Sequence, residues 1–129
     1  LLVRDDSIIP LGPEMSFVGE RPTDPLTLEV YLTATAQCTV EEGDGTIRVK
    51  AVRRSGVTLV TIVGPERTYI VRPHGTKAPR RVTVNNKSLP RRADKKAFDH
   101  NPQGWWRDPR GRVQVKVRGS GELRVRLLD

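Results

Sequence analysis

The chain has 129 residues, with 23 Lys and Arg against 15 Asp and Glu and a formal net charge of +8. That length suits one compact domain and falls short of the roughly 200 residues or more that a (β/α) barrel requires. The single cysteine, Cys38, excludes an internal disulfide framework and a cysteine-rich zinc site. No run approaches the about 18 apolar residues of a membrane span.

The sequence enters on Leu1-Leu2-Val3 without an initiator Met, which points to a piece of a longer protein, and Arg4, Asp5 and Asp6 rule out a signal peptide there. A first strand-like piece ends at Ile9. Residues 10–25 hold Pro10, Gly12, Pro13, Gly19, Pro22 and Pro25, a connector too rich in proline for a strand interior. Leu26, Leu28, Val30 and Leu32 then alternate with Thr27, Glu29 and Tyr31, the period of a half-buried strand. Ile47, Val49 and Ala51 repeat the pattern against Arg48 and Lys50. Residues 57–63 are apolar at nearly every position and predict a central strand covered on both faces.

Tyr69-Ile70-Val71 follows Gly64-Pro65, and Val82 alternates with Val84. Val113, Val115 and Val117 precede Leu123, Val125 and Leu127, with basic side chains between them. Turns are expected at 43–45, Ser55-Gly56, Gly64-Pro65, Asn85-Asn86 and Gly119-Ser120-Gly121, where glycine and asparagine tolerate positive φ. The last of these predicts a terminal hairpin of 112–118 with 122–128. Helical periodicity is almost absent. The pattern predicts an all-β fold, an antiparallel β-sandwich, interrupted by an aperiodic insertion at about 90–111 that carries Phe98, Trp105 and Trp106.

Little in the chain has the spacing of catalysis. Asp5-Asp6 and Glu41-Glu42 are adjacent pairs, and neighbours on a strand face opposite ways, so neither pair addresses one substrate. The acids around Asp44 are thin support for a calcium loop. His74, between Pro73 and Gly75, reads as a solvated loop histidine, and Cys38 as packing. Adjacent tryptophans on a strand also point apart. One of Trp105 and Trp106 therefore anchors the core, while the other meets a ligand, a domain or the 90–111 segment. The basic residues are spread over turns and exposed sheet faces, with few aromatics among them, which counts against nucleic acid as a partner.

Two stretches resemble the C-terminal region of glycoside hydrolase family 31, the family of α-glucosidases and α-xylosidases. Ser7-Ile8-Ile9-Pro10-Leu11-Gly12-Pro13 is similar to its strand closing a proximal β-sandwich. Asp24-Pro25-Leu26-Thr27-Leu28-Glu29-Val30-Tyr31 is similar to the strand opening a distal one. Val82 to Leu89 looks like a hairpin of the same distal domain. The family's acidic turn is altered here to Val40-Glu41-Glu42-Gly43-Asp44-Gly45, without its tyrosine.

The resemblance implies a distal domain at 24–129, preceded at 1–23 by the end of a proximal β domain and a connector. It also implies a catalytic (β/α)-barrel partner within the parent protein. The family's two catalytic carboxylates belong to that barrel, and no residue here matches their motifs. The expectation is a non-catalytic module of an α-glycosidase with no cofactor and no metal. A second reading is a carbohydrate-binding module that stacks sugars on Trp105, Trp106 and Tyr31. A third is a basic nucleic-acid-binding β domain.

Overall fold

The computed structural model describes residues 7–11, 26–31, 35–42, 45–74 and 79–128. The chain forms β1 (Ser7–Leu11), β2 (Leu26–Tyr31), β3 (Thr35–Glu42), β4 (Gly45–Arg54), β5 (Val57–His74), β6 (Arg81–Val84) and β7 (Lys87–Ser88). A short helix, α1 (Lys95–His100), then precedes β8 (Gly104–Arg107) and β9 (Val113–Leu128). The fold is all-β, as the alternation predicts.

All the strands join one hydrogen-bonded sheet, which bends back on itself as a sandwich. Its two longest strands, β5 and β9, run antiparallel through both halves. Residues 57–63 of β5 lie between β4 and the 122–128 end of β9, and residues 69–74 lie beside β2. The β2–β5 ladder is parallel, because the β3–β4 hairpin intervenes in the chain and belongs to the other half.

The bend has a countable cause. Gly64 pairs with Gly121 and Arg67 with Gly119, so two residues of β5 face one residue of β9. Such a bulge bends a strand and moves its alternation by one position. Thr58, Val60 and Ile62 are buried before the bulge, and Tyr69 and Val71 after it. The inward set passes from even to odd numbers, whereas β9 keeps Val113, Val115, Val117, Leu123, Val125 and Leu127 buried throughout.

Two expected turns are therefore corrected. Gly64-Pro65 and Gly119-Ser120-Gly121 do not reverse the chain: they are the bend itself, and the terminal hairpin is instead one continuous strand. Residues 57–63 are central in the sheet but covered on one face only, with Val63 42 % exposed. Ser55-Gly56 and Asn85-Asn86 do form the two-residue turns expected, with φ of 47°, 78°, 48° and 68° in that order. The aperiodic 90–111 stretch contains α1 and β8, and β8 adds to the edge of β9. Asp5-Asp6 and Asp44 lie outside the described residues.

The bend is fastened from inside. Tyr69 donates its hydroxyl to the Pro65 carbonyl at 2.9 Å. A Cβ on Gly64 would meet that hydroxyl at 2.8 Å and Ile47 Cγ1 at 3.0 Å. At Gly119 the nearest atom is the mobile tip of Leu123, at 2.9 Å. In urea denaturation, Gly64→Ala is expected to cost about 1–3 kcal/mol, the usual scale of overpacking. Gly119→Ala is expected to cost less, because the leucine tip can rotate away, and Tyr69→Phe about 1 kcal/mol for the lost hydrogen bond.

Candidate functional site

The outward side chains of the β2–β5–β9–β8 half carry the richest chemistry. Parallel register sets Glu29 beside Arg72 and Tyr31 beside His74. The Glu29 carboxylate is only 12 % exposed and accepts from Arg72 Nη1 at 3.0 Å, while its other oxygen contacts His74 Nε2. The imidazole stacks on the Tyr31 ring, with centroids 4.3 Å apart and planes 8° from parallel. Arg72 Nε reaches Gln114 Oε1 at 3.4 Å. His74 is thus an engaged residue at the end of β5, not the solvated loop residue expected. Its partners come from β2, which no local pattern reveals.

A cleft of about 160 Å³ opens beside this cluster, lined by Glu29, Arg72, His74, Asp108, Arg112 and Gln114 among others. Asp108 Oδ1 accepts from the backbone amides of Arg110 and Arg112 at 2.9 and 2.8 Å, which sets the turn before β9. Two carboxylates therefore line one cleft: Glu29 is held by a guanidinium and an imidazole, and Asp108 caps its own turn through one oxygen. This arrangement suits holding polar groups. Among the described residues no three His, Cys, Asp or Glu side chains group as metal ligands, and no helix is long and apolar enough to cross a membrane.

The tryptophans point apart as strand geometry demands. Trp105, opposite Val115, enters the sandwich core, with the Arg91 guanidinium 5.3 Å above its ring centre. Trp106, opposite Gln114, faces outward, where Phe98 of α1 and Ile70 cover it. The rings of Phe98 and Trp106 lie 6.1 Å apart. The two tryptophans are 4 % and 7 % exposed, which leaves little indole face for a sugar. Tyr31 shares the outer face with Trp106, but two strands, β5 and β9, lie between them. The three residues are not one platform.

What holds α1 over Trp106 is a lysine. Asp94 caps the helix by accepting from the Ala97 amide at 2.8 Å. Lys116 Nζ donates to the carbonyls of Phe98, Asp99 and Asn101 at 2.8, 3.3 and 3.4 Å, and sits 4.7 Å from the centre of the Phe98 ring. Its side chain, expected on the outward basic face, is 8 % exposed, and burial pushes its ammonium below the usual lysine range. Burial likewise raises the thiol of Cys38, which packs on the core.

The fold and its outer face define a β-sandwich module with a polar cleft and a helix-covered aromatic pair. No known family's profile matches the chain, and no curated protein matches it. Solved structures do. An uncharacterized protein of Listeria monocytogenes EGD-e, crystallised with glucose, magnesium and calcium, aligns at a TM-score of 0.84 and 15% identity. The alignment spans 97% of this chain and 13% of that one.

A family 31 glycoside hydrolase dextranase from Flavobacterium johnsoniae, complexed with glucose, aligns at 0.82 and 16% identity over 98% of this chain and 19% of its own. The cycloalternan-forming enzyme of Listeria monocytogenes, with a pentasaccharide substrate, aligns at 0.74 and 16% identity, over 81% and 10%. At such identities the likeness establishes the fold, one related to a part of family 31 glycoside hydrolases. This chain spans under a fifth of the length of these chains.

Lys116→Met keeps an unbranched stem and removes the donor from three carbonyls. It is expected to cost about 1–3 kcal/mol and to shift tryptophan emission to the red as α1 lifts from Trp106. With Trp106→Phe in the background, the spectral shift should shrink while the stability loss remains. Urea titration followed by fluorescence and by circular dichroism reads both.

Proposed function

We propose that this chain is a non-catalytic β-sandwich module of a larger α-glycosidase related to family 31. In this reading residues 24–129 form the body of the module, and residues 1–23 join it to a preceding β domain while lending it β1, which pairs with β2 and places Ile8 in the core. Its role is mechanical: it packs beside the catalytic (β/α) barrel, buries apolar surface there and stabilises the parent. The observation that carries the reading is the alignment of 97% of the chain with only 13% of a much larger protein, at a TM-score of 0.84. The motifs around Ile8 and Leu26, in family order, support the same assignment. Fold alone does not carry an activity across, so the reading takes in parents acting on α-glucosides, α-xylosides or α-glucans alike.

The isolated chain is expected to release no product from a chromogenic α-glucoside, an α-xyloside or dextran. Deleting residues 24–129 from a parent enzyme should lower its melting temperature and leave the chemistry of the surviving folded fraction little changed. Turnover by the isolated chain overturns the assignment.

A second reading, carbohydrate binding, is favoured by one feature, the Tyr31–His74 stack beside the polar cleft. Arginine and carboxylate edges suit sugar hydroxyls, and a half-exposed aromatic offers a face. The tryptophans, covered as they are, contribute support and not a stacking surface. Calorimetric titration with glucose and isomaltose decides it. Saturable heat that Arg72→Met abolishes favours binding, and none at millimolar sugar removes this reading.

A further inference from the structure

The other half of the sheet presents an outer face that neither the core nor α1 uses. Register aligns its side chains in rows across β3, β4, β5 and β9. Gln37, Lys50, Thr61 and Arg124 form one row. Thr35, Val52, Leu59 and Arg126 form the next, and β6 extends it with Thr83. On one side lies a row with Arg48, Val63 and Glu122, and on the other a row with Arg54, Val57, Leu128 and Arg81.

The centre of this face is aliphatic, with Val52, Val57 and Leu59 half-buried and Val63 open to solvent. Around it stand Arg48, Lys50, Arg54, Arg81, Arg124 and Arg126. The acid among these rows is Glu122, already paired with Arg124 at 3.3 Å. Two shallow grooves cross the face, one along Cys38, Arg48, Lys50 and Thr61, the other along Val52, Leu59 and Arg126.

A flat apolar centre with a cationic rim is the complement of an acidic protein surface that carries aliphatic side chains at its middle. Nucleic acid fits less well. The described side chains of these rows include no aromatic ring on which a base could stack, and the aliphatic centre would lie under phosphates. Keeping a soluble edge needs only a few lysines, whereas here six cations surround aliphatic residues in mid-sheet.

We infer that the outer face of β4, β5 and β9, centred on Leu59 and rimmed by Arg48, Lys50, Arg54, Arg124 and Arg126, docks an acidic surface of a second protein. The apolar centre supplies the buried contact, and the rim steers the encounter and selects against basic partners. This inference stands on the register and charge of the face, independently of the glycosidase assignment.

The test uses the full 129-residue chain and a fluorescent peptide of alternating Glu and Val, with polyglutamate, a single-stranded oligonucleotide and phosphatidylserine vesicles as competitors. Anisotropy should report saturable binding of the Glu–Val peptide. The paired reversal Lys50→Glu/Arg124→Glu should weaken it by about tenfold or more, since like charges then oppose. Leu59→Ser should weaken it several-fold without changing its salt dependence. Circular dichroism confirms that both variants fold, and a variant that does not fold is replaced by Lys50→Gln/Arg124→Gln or Leu59→Thr. Equal affinity for polyglutamate with no effect at Leu59 overturns the inference, leaving general charge attraction. Tighter binding of the oligonucleotide or the vesicles overturns it in favour of those partners, and no binding at low salt overturns it outright.

Discussion

One extra residue in β5 organises the molecule. A strand long enough to serve both halves of a sandwich must keep its apolar side chains inward across the fold, and strict alternation ties inwardness to parity. In β5 the core-facing positions are even up to Ile62 and odd from Arg67 on, so a single insertion opposite Ser120 reconciles the halves. Were the same sequence paired without the bulge, Thr68, Ile70 and Arg72 would turn toward the core and Tyr69 and Val71 would be expelled. Proline at 65 suits the bulge because the ladder asks no amide of it there. The Tyr69 hydroxyl then takes up the Pro65 carbonyl, which the bend removes from regular pairing.

Folding one sheet over itself creates two outer faces, and the chain treats them differently. On the β2–β8 half, Lys116 occupies a position that alternation gives to solvent, yet its ammonium sits over the Phe98 ring and satisfies the carbonyls at the end of α1. A short helix marginal by itself is thereby fixed over Ile70 and Trp106. On the other half the equivalent outward cations, Arg124 and Arg126, have no helix to bind and stay at the surface around Leu59. Outward cations at equivalent strand positions thus serve internal closure in one place and an open face in the other.

These differences mark what was legible in the sequence. Alternation at 26–30, 47–51, 113–117 and 123–127 is a local property, and the structure buries those apolar residues. Ser55-Gly56 and Asn85-Asn86 were equally readable, because a two-residue turn is set by residues that tolerate positive φ. Gly119-Ser120-Gly121 was not. A glycine-rich break between two alternating runs looks the same whether the chain reverses or merely bends, and the partner strand β5, some fifty residues earlier, decides it. The Tyr31–His74–Glu29 cluster was hidden for a similar reason, since parallel pairing of β2 with β5 leaves no short-range trace. The tryptophans were half legible: opposite facing follows from the strand, but the cover over Trp106 depends on a helix of six residues that shows no apolar period.

The same long-range pairing bears on how the molecule can act. β9 closes against Val57 with its last residues and against Val71 with its first, so it completes both layers at once. Neither half then has a finished core before the final strand docks, and the ladders join residues far apart in sequence, the slow and cooperative kind of topology. A unit assembled in this way resists partial opening, because parting β5 from β9 exposes both halves together. The outer faces of the two halves therefore keep fixed positions relative to one another, because the same two strands carry both.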